Sequence, residues 1–145
     1  MSLLARVAGA MVVIPFLFGS RRLLGTNQGV YGEVTENAWT FTIFAAVAVV
    51  GAPVVEELFF RGLLLRSLTS AVGTAWAIGI QAVLFGLAHF SPLLGLANFS
   101  VVTIIATAGL VFGITAWWRR IGTSVVAHSA YNLIAVIVAA FFAFG

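Results

Sequence analysis

Glu56, Glu57 and Arg61 stand inside an apolar run, Val54-Val55-Glu56-Glu57-Leu58-Phe59-Phe60-Arg61. Carboxylates and a guanidinium in such a setting are destabilising unless paired or neutralised. Arg61 follows Glu57 by four residues, the helical spacing at which Glu N-terminal to Arg pairs well, so Glu57 has a local partner. Glu56, about 100° round the helix, has none. An ionisable group inside an apolar span is by default a functional candidate, and an unpaired carboxylate is suited to act as a general base or acid. The competing reading is a charge knot that joins two helices. For Glu57 and Arg61 that reading and a catalytic one stand level; for Glu56 function leads.

The chain has two histidines, His89 and His128, and both fall in apolar segments, Phe85-Gly86-Leu87-Ala88-His89 and His128-Ser129-Ala130-Tyr131-Asn132. One histidine on an apolar helix is more often structural than catalytic, but two of two in a chain so poor in polar residues shift that balance. If the segments on either side of Ser70 are antiparallel helices, Glu56 and His89 differ in depth by about five residues, or ~7 Å, and can face each other. His128 lies somewhat shallower, and His128 and Asn132, four apart, share a helix face. The four groups can therefore converge on one cavity within the membrane. Peptide hydrolysis needs a base for water, a group that orients the water and donors for the developing oxyanion. Glu56 suits the first role, His89 the second, and His128 with Asn132 the third. Glu56, His89 and His128 are equally a two-histidine, one-carboxylate set of the kind that holds a divalent metal such as zinc with water at an open position. Spacing does not separate the two versions, and the signature His-Glu-x-x-His is absent.

The elements that must position these residues follow from composition. Hydrophobic residues make up 62% of the 145-residue chain and charged residues 8%, with a mean hydropathy of +1.16, far from a soluble domain. About 20 apolar residues cross a bilayer, so an all-α polytopic bundle of about five transmembrane helices is expected. Leu3 to Gly19 suits a first span or the apolar core of a signal peptide, and with no small-x-small cleavage site after it the span is favoured; the polar stretch 20 to 37 is read as a loop. Residues 38 to 145 form the core. There a second apolar run, Trp39 to Leu68, is too long for one straight span, and a kink or break is expected at Gly51-Ala52-Pro53. Further spans are expected from about Val72 to Phe90, Leu94 to Trp118 and Thr123 to Phe144.

Net charge is +3, but the arginines sit at span ends or inside spans and form no basic face, which excludes a nucleic-acid partner. The absence of cysteine excludes disulfides and thiolate metal sites. Arg6, Arg66, Arg119 and Arg120 on one side against Arg21 and Arg22 on the other place the N-terminus in the cytoplasm by the positive-inside tendency, with Trp117 and Trp118 as an interfacial belt.

In order along the chain, Glu56-Glu57-x-x-x-Arg61, Phe85-x-x-x-His89 and His128-x-x-x-Asn132 resemble the three motifs of the CPBP family, the CAAX proteases and bacteriocin-processing enzymes also called the Abi family. The resemblance covers roughly residues 45 to 140, and Pro53 and Gly62 also stand where the family often has such residues. It implies an all-helical integral membrane endopeptidase of a bacterial or archaeal cell membrane, related to the type II CAAX prenyl endopeptidases. Carried across by motif, it implies Glu56 as base, Glu57 and Arg61 as its support, and His89, His128 and Asn132 as the rest of the site. The family is labelled a metalloprotease, yet a metal-free glutamate mechanism is also proposed for it, so the cofactor stays open. The implied partners are the lipid bilayer and a peptide or protein substrate, lipid-modified in some members. Bacterial members do not in general process prenylated proteins, so a CAAX substrate does not follow from the motifs. Oligomeric state is left open.

Two readings from other classes compete: a non-catalytic bacteriocin-immunity or membrane scaffold protein, and a small transporter or proton relay. A scaffold needs neither an unpaired Glu56 nor two convergent histidines, and the chain lacks the internal repeat that would favour a transporter.

Overall fold

The computed structural model describes residues 38–90 and 95–144. The expected first span and its polar loop lie outside these residues, as do Ser91 and Pro92. The described residues form helices and turns only. Helix α1 is Ala38–Val72, α2 is Thr74–Leu87, α3 is Ala97–Arg119 and α4 is Ile121–Phe144. Three of them, α1, α3 and α4, contain stretches long and apolar enough to cross a membrane.

Helix α1 does not break at Gly51-Ala52-Pro53. It widens into a π-helical stretch, Val47–Gly51, and continues. Pro53 has no N–H to offer the preceding turn, and the Ala52 N–H reaches back five residues to Val47 O. A second π stretch, Leu58–Leu64, contains Arg61 and closes with Leu65 N–H bonded to Phe60 O. At about 1.5 Å per residue, α1 is roughly 52 Å long against an apolar slab of about 30 Å. Its polar end, Arg66 to Ser70, therefore has length to extend past the slab.

Helix α2 is shorter than the sequence suggests. It begins after Gly73, whose φ of 82° reverses the chain in a single residue, and it ends at Leu87. Its 14 residues span only about 21 Å. Arg120, with φ of 86°, makes the matching reversal between α3 and α4. The turn falls within the expected stretch between Trp118 and Thr123, and α4 begins two residues earlier than expected, at Ile121.

One stripe of α2, namely Ala77, Gln81, Ala82, Phe85 and Gly86, is buried. It packs on α3 at very short range, because a Cβ on Gly86 would meet Val102 O at 2.5 Å and one on Gly109 would meet Phe85 Cδ1 at 2.9 Å. Small residues at such positions let helix backbones approach closely in membranes. Phe60, Phe85, Ala108 and Phe112 form the buried core at the junction of α1, α2 and α3, with Ala127 and Tyr131 of α4 against it. Trp117 and Trp118, beside the arginine pair, are exposed at 48% and 78%.

Candidate active site

Glu57 is fully buried and both its oxygens are engaged. Oε1 accepts from Arg61 Nη1 at 2.8 Å and lies 3.0 Å from His128 Nδ1. Oε2 accepts from Ser124 Oγ at 2.6 Å. The expected helical pairing with Arg61 is present, and it forms the centre of a network joining α1 to α4. Arg61 also donates from Nη2 to Gly109 O of α3 at 3.0 Å. Its guanidinium carbon stands 4.4 Å from the Phe85 ring centroid and 5.5 Å from that of Phe112. Aromatic faces and a carboxylate are what a desolvated guanidinium requires.

Both histidine tautomers follow from their partners. His89 lies just past the end of α2, in the turn closed by His89 N–H to Gly86 O at 3.0 Å, rather than inside the helix. Its Nδ1 is 2.8 Å from Phe85 O, and a carbonyl oxygen only accepts, so Nδ1 carries the proton. His128 Nδ1 faces the Glu57 oxygen already held by Arg61, which likewise must accept. In the neutral form of each ring Nε2 is therefore the bare nitrogen. The two Nε2 atoms converge on Glu56, at 4.0 Å from Oε2 for His89 and 3.8 Å for His128. That Oε2 is buried and accepts no hydrogen bond among the described residues. The His128 ring is fixed on its other face by stacking on Phe112, with centroids 4.6 Å apart and planes at 19°.

Asn132, one turn beyond His128, donates from Nδ2 to Ala48 O in the first π stretch at 2.7 Å. Glu56, His89, His128 and Asn132 line one cavity of about 340 Å³, lined elsewhere by side chains such as Phe44, Ile105, Phe112 and Tyr131. The convergence expected from helix depth is thus present, while Glu57 and Arg61 sit behind the cavity and reach it through His128.

A tetrahedral zinc held at about 2.0–2.1 Å by each donor would place the donors roughly 3.4 Å apart. The separations of 3.8 and 4.0 Å from Glu56 exceed this, and no group of three or more His, Cys, Asp or Glu among the described residues has metal-site spacing. The three residues as placed do not fit zinc.

Two polar residues of this region escaped the sequence reading. Ser124 is fully buried; its single hydroxyl proton is shared between Glu57 Oε2 at 2.6 Å and Phe112 O at 2.9 Å. Gln81, also fully buried, donates from Nε2 to Gly109 O at 3.0 Å, the carbonyl that Arg61 uses. A signal existed for each: Ser124 precedes His128 by four residues, and Gln81 precedes Phe85 and His89 by four and eight, so each shares a face with a motif residue.

Apolar spanning helices with a buried polar cluster at their centre define an integral membrane protein with a candidate site inside the bundle. Residues 38–134, more than half of the chain, match the family described as type II CAAX prenyl endopeptidase Rce1-like, and the chain belongs to that family. Membership makes it a CAAX-type intramembrane protease at the level of the family. No curated protein and no solved structure matches the chain.

Proposed function

We propose that this protein is an intramembrane endopeptidase in which Glu56 activates water. The observation that carries the reading is the meeting of a buried, unpartnered Glu56 Oε2 with two Nε2 atoms at 3.8 and 4.0 Å. A water bridging Glu56 and His89, about 2.8 Å from each, fits that separation. Its two protons then point at a carboxylate oxygen and a bare imidazole nitrogen, which aims an oxygen lone pair into the cavity.

In the reaction, Glu56 takes a proton from this water as its oxygen bonds to the scissile carbonyl carbon. When the C–N bond breaks, the same proton passes from Glu56 to the leaving amine. The oxyanion formed in between needs donors. The Asn132 amide has a second N–H beyond the one on Ala48. His128 Nε2 can donate to the oxyanion only when the ring carries a second proton. Glu57 holds that ring in place through Nδ1, so Glu57, Arg61 and Ser124 act by positioning His128. A peptide or protein substrate in the bilayer is implied, and the apolar walls suit apolar side chains or an attached lipid.

The test is cleavage of a panel of membrane-tethered and lipid-modified peptides by purified protein in lipid, with and without chelator, comparing wild type and His89→Ala. The expected result is cleavage by wild type that survives chelation and falls about 100-fold or more in the variant. Equal cleavage by both proteins would remove His89 from the chemistry. Binding without cleavage in every arm would favour the scaffold reading, and loss with chelator would restore the metal version.

A further inference from the structure

Ala48 has no backbone donor available within its own helix. Its regular i+4 partner, the Ala52 N–H, is bonded to Val47 O. Its i+5 partner is Pro53, which has no N–H. In an apolar bilayer such a carbonyl has no water to turn to, and an unsatisfied backbone group there is strongly destabilising. Asn132 Nδ2, from α4, donates to that oxygen at 2.7 Å. Since the carbonyl only accepts, the amide nitrogen and not its oxygen must face it.

We infer that Asn132 is a positioning residue for Glu56: it caps the carbonyl orphaned by Pro53 and so fastens the π stretch of α1 to the helix that carries His128. Pro53 is buried, and Glu56 follows it by three residues. The proline holds α1 in its π register, and the Asn132 bond ties that register to α4. Glu56 Oε2 thereby keeps its distance from His128 Nε2. This role rests on the hydrolytic reading only for its consequence in cleavage; the clamp itself is a property of the fold.

Replacing Pro53 by alanine returns an N–H to the chain. In a π register it reaches Ala48 O directly, and in an α register it frees the Ala52 N–H to do so. Pro53→Ala therefore makes the Asn132 bond dispensable, which a role in oxyanion binding alone does not permit. The experiment is a cycle of Asn132→Ala, Pro53→Ala and the double variant, each read by thermal melting in lipid or detergent and by cleavage of the best panel peptide. In the wild-type background Asn132→Ala is expected to lower the melting temperature by on the order of 5 °C and kcat by about tenfold or more. In the Pro53→Ala background the melting penalty is expected to fall below about 1 °C and the loss in kcat to shrink by at least about threefold. Equal penalties in the two backgrounds, in melting or in cleavage, would overturn the inference. A wild type that cleaves nothing would sink the protease reading but still leave the melting cycle to decide the clamp.

Discussion

His128 Nδ1 lies 3.0 Å from Glu57 Oε1, the same oxygen that holds Arg61 at 2.8 Å. Because that oxygen is committed as an acceptor, it fixes the tautomer of His128 and aims Nε2 at Glu56. Two adjacent carboxylates of one helix therefore do different work. Both Glu57 oxygens hold donors, whereas Glu56 Oε2 accepts no hydrogen bond among the described residues and Glu56 lines the cavity.

Glu57→Gln tests the first half of this division. It leaves the Arg61 guanidinium, 2% exposed for the residue, without its hydrogen-bonded carboxylate, and breaking a buried pair on one side costs about 3–5 kcal/mol. Thermal melting should show a large loss of stability, and removing Arg61 as well should recover part of it. A Glu57→Gln protein as stable as wild type would show that the network does not hold the bundle together.

Ser124→Ala should be milder. The carboxylate loses a donor at 2.6 Å but keeps Arg61 and His128. A lost hydrogen bond to a charged group is worth about 1.5–3 kcal/mol. Cleavage is expected to drop several-fold through the looser placement of Glu57, with Ser124→Thr restoring part of it. Cleavage unchanged in Ser124→Ala would confine the serine to packing.

Gly86 and Gly79 form a matched pair on α2. A Cβ at Gly86 meets Val102 O at 2.5 Å, while one at Gly79 meets nothing within 4 Å. Gly86→Ala should push α2 from α3 and destabilise by about 1–3 kcal/mol. Gly79→Ala should be neutral or slightly stabilising, since alanine is the better helix former. Equal melting temperatures for the two variants would contradict the close approach of these helices.

The motif residues and their convergence were legible in the sequence because polar groups are rare in it and each had to be explained. The pairing of Glu57 with Arg61 needed only helical spacing. The contact of Glu57 with Ser124, 67 residues away, needed knowledge of which helices touch. Sequence does not supply that here, because lipid is as apolar as the core. Phe59 and Phe60 read alike, yet the first is 52% exposed and the second 8%. The second π stretch, Leu58–Leu64, has no proline to announce it, unlike the first. His89 was placed inside a helix because Phe85 to Phe90 is apolar, and apolar turns at a helix end carry no separate mark.

The most direct test of the central claim is Glu56→Gln, which keeps the shape of the side chain and removes its capacity to take a proton. Its kcat on the best panel peptide should fall by about 10²–10⁴-fold while its melting temperature stays at or above that of wild type, because Glu56 Oε2 accepts no hydrogen bond among the described residues. Cleavage within twofold of wild type would show that Glu56 is not the base and that water is activated elsewhere.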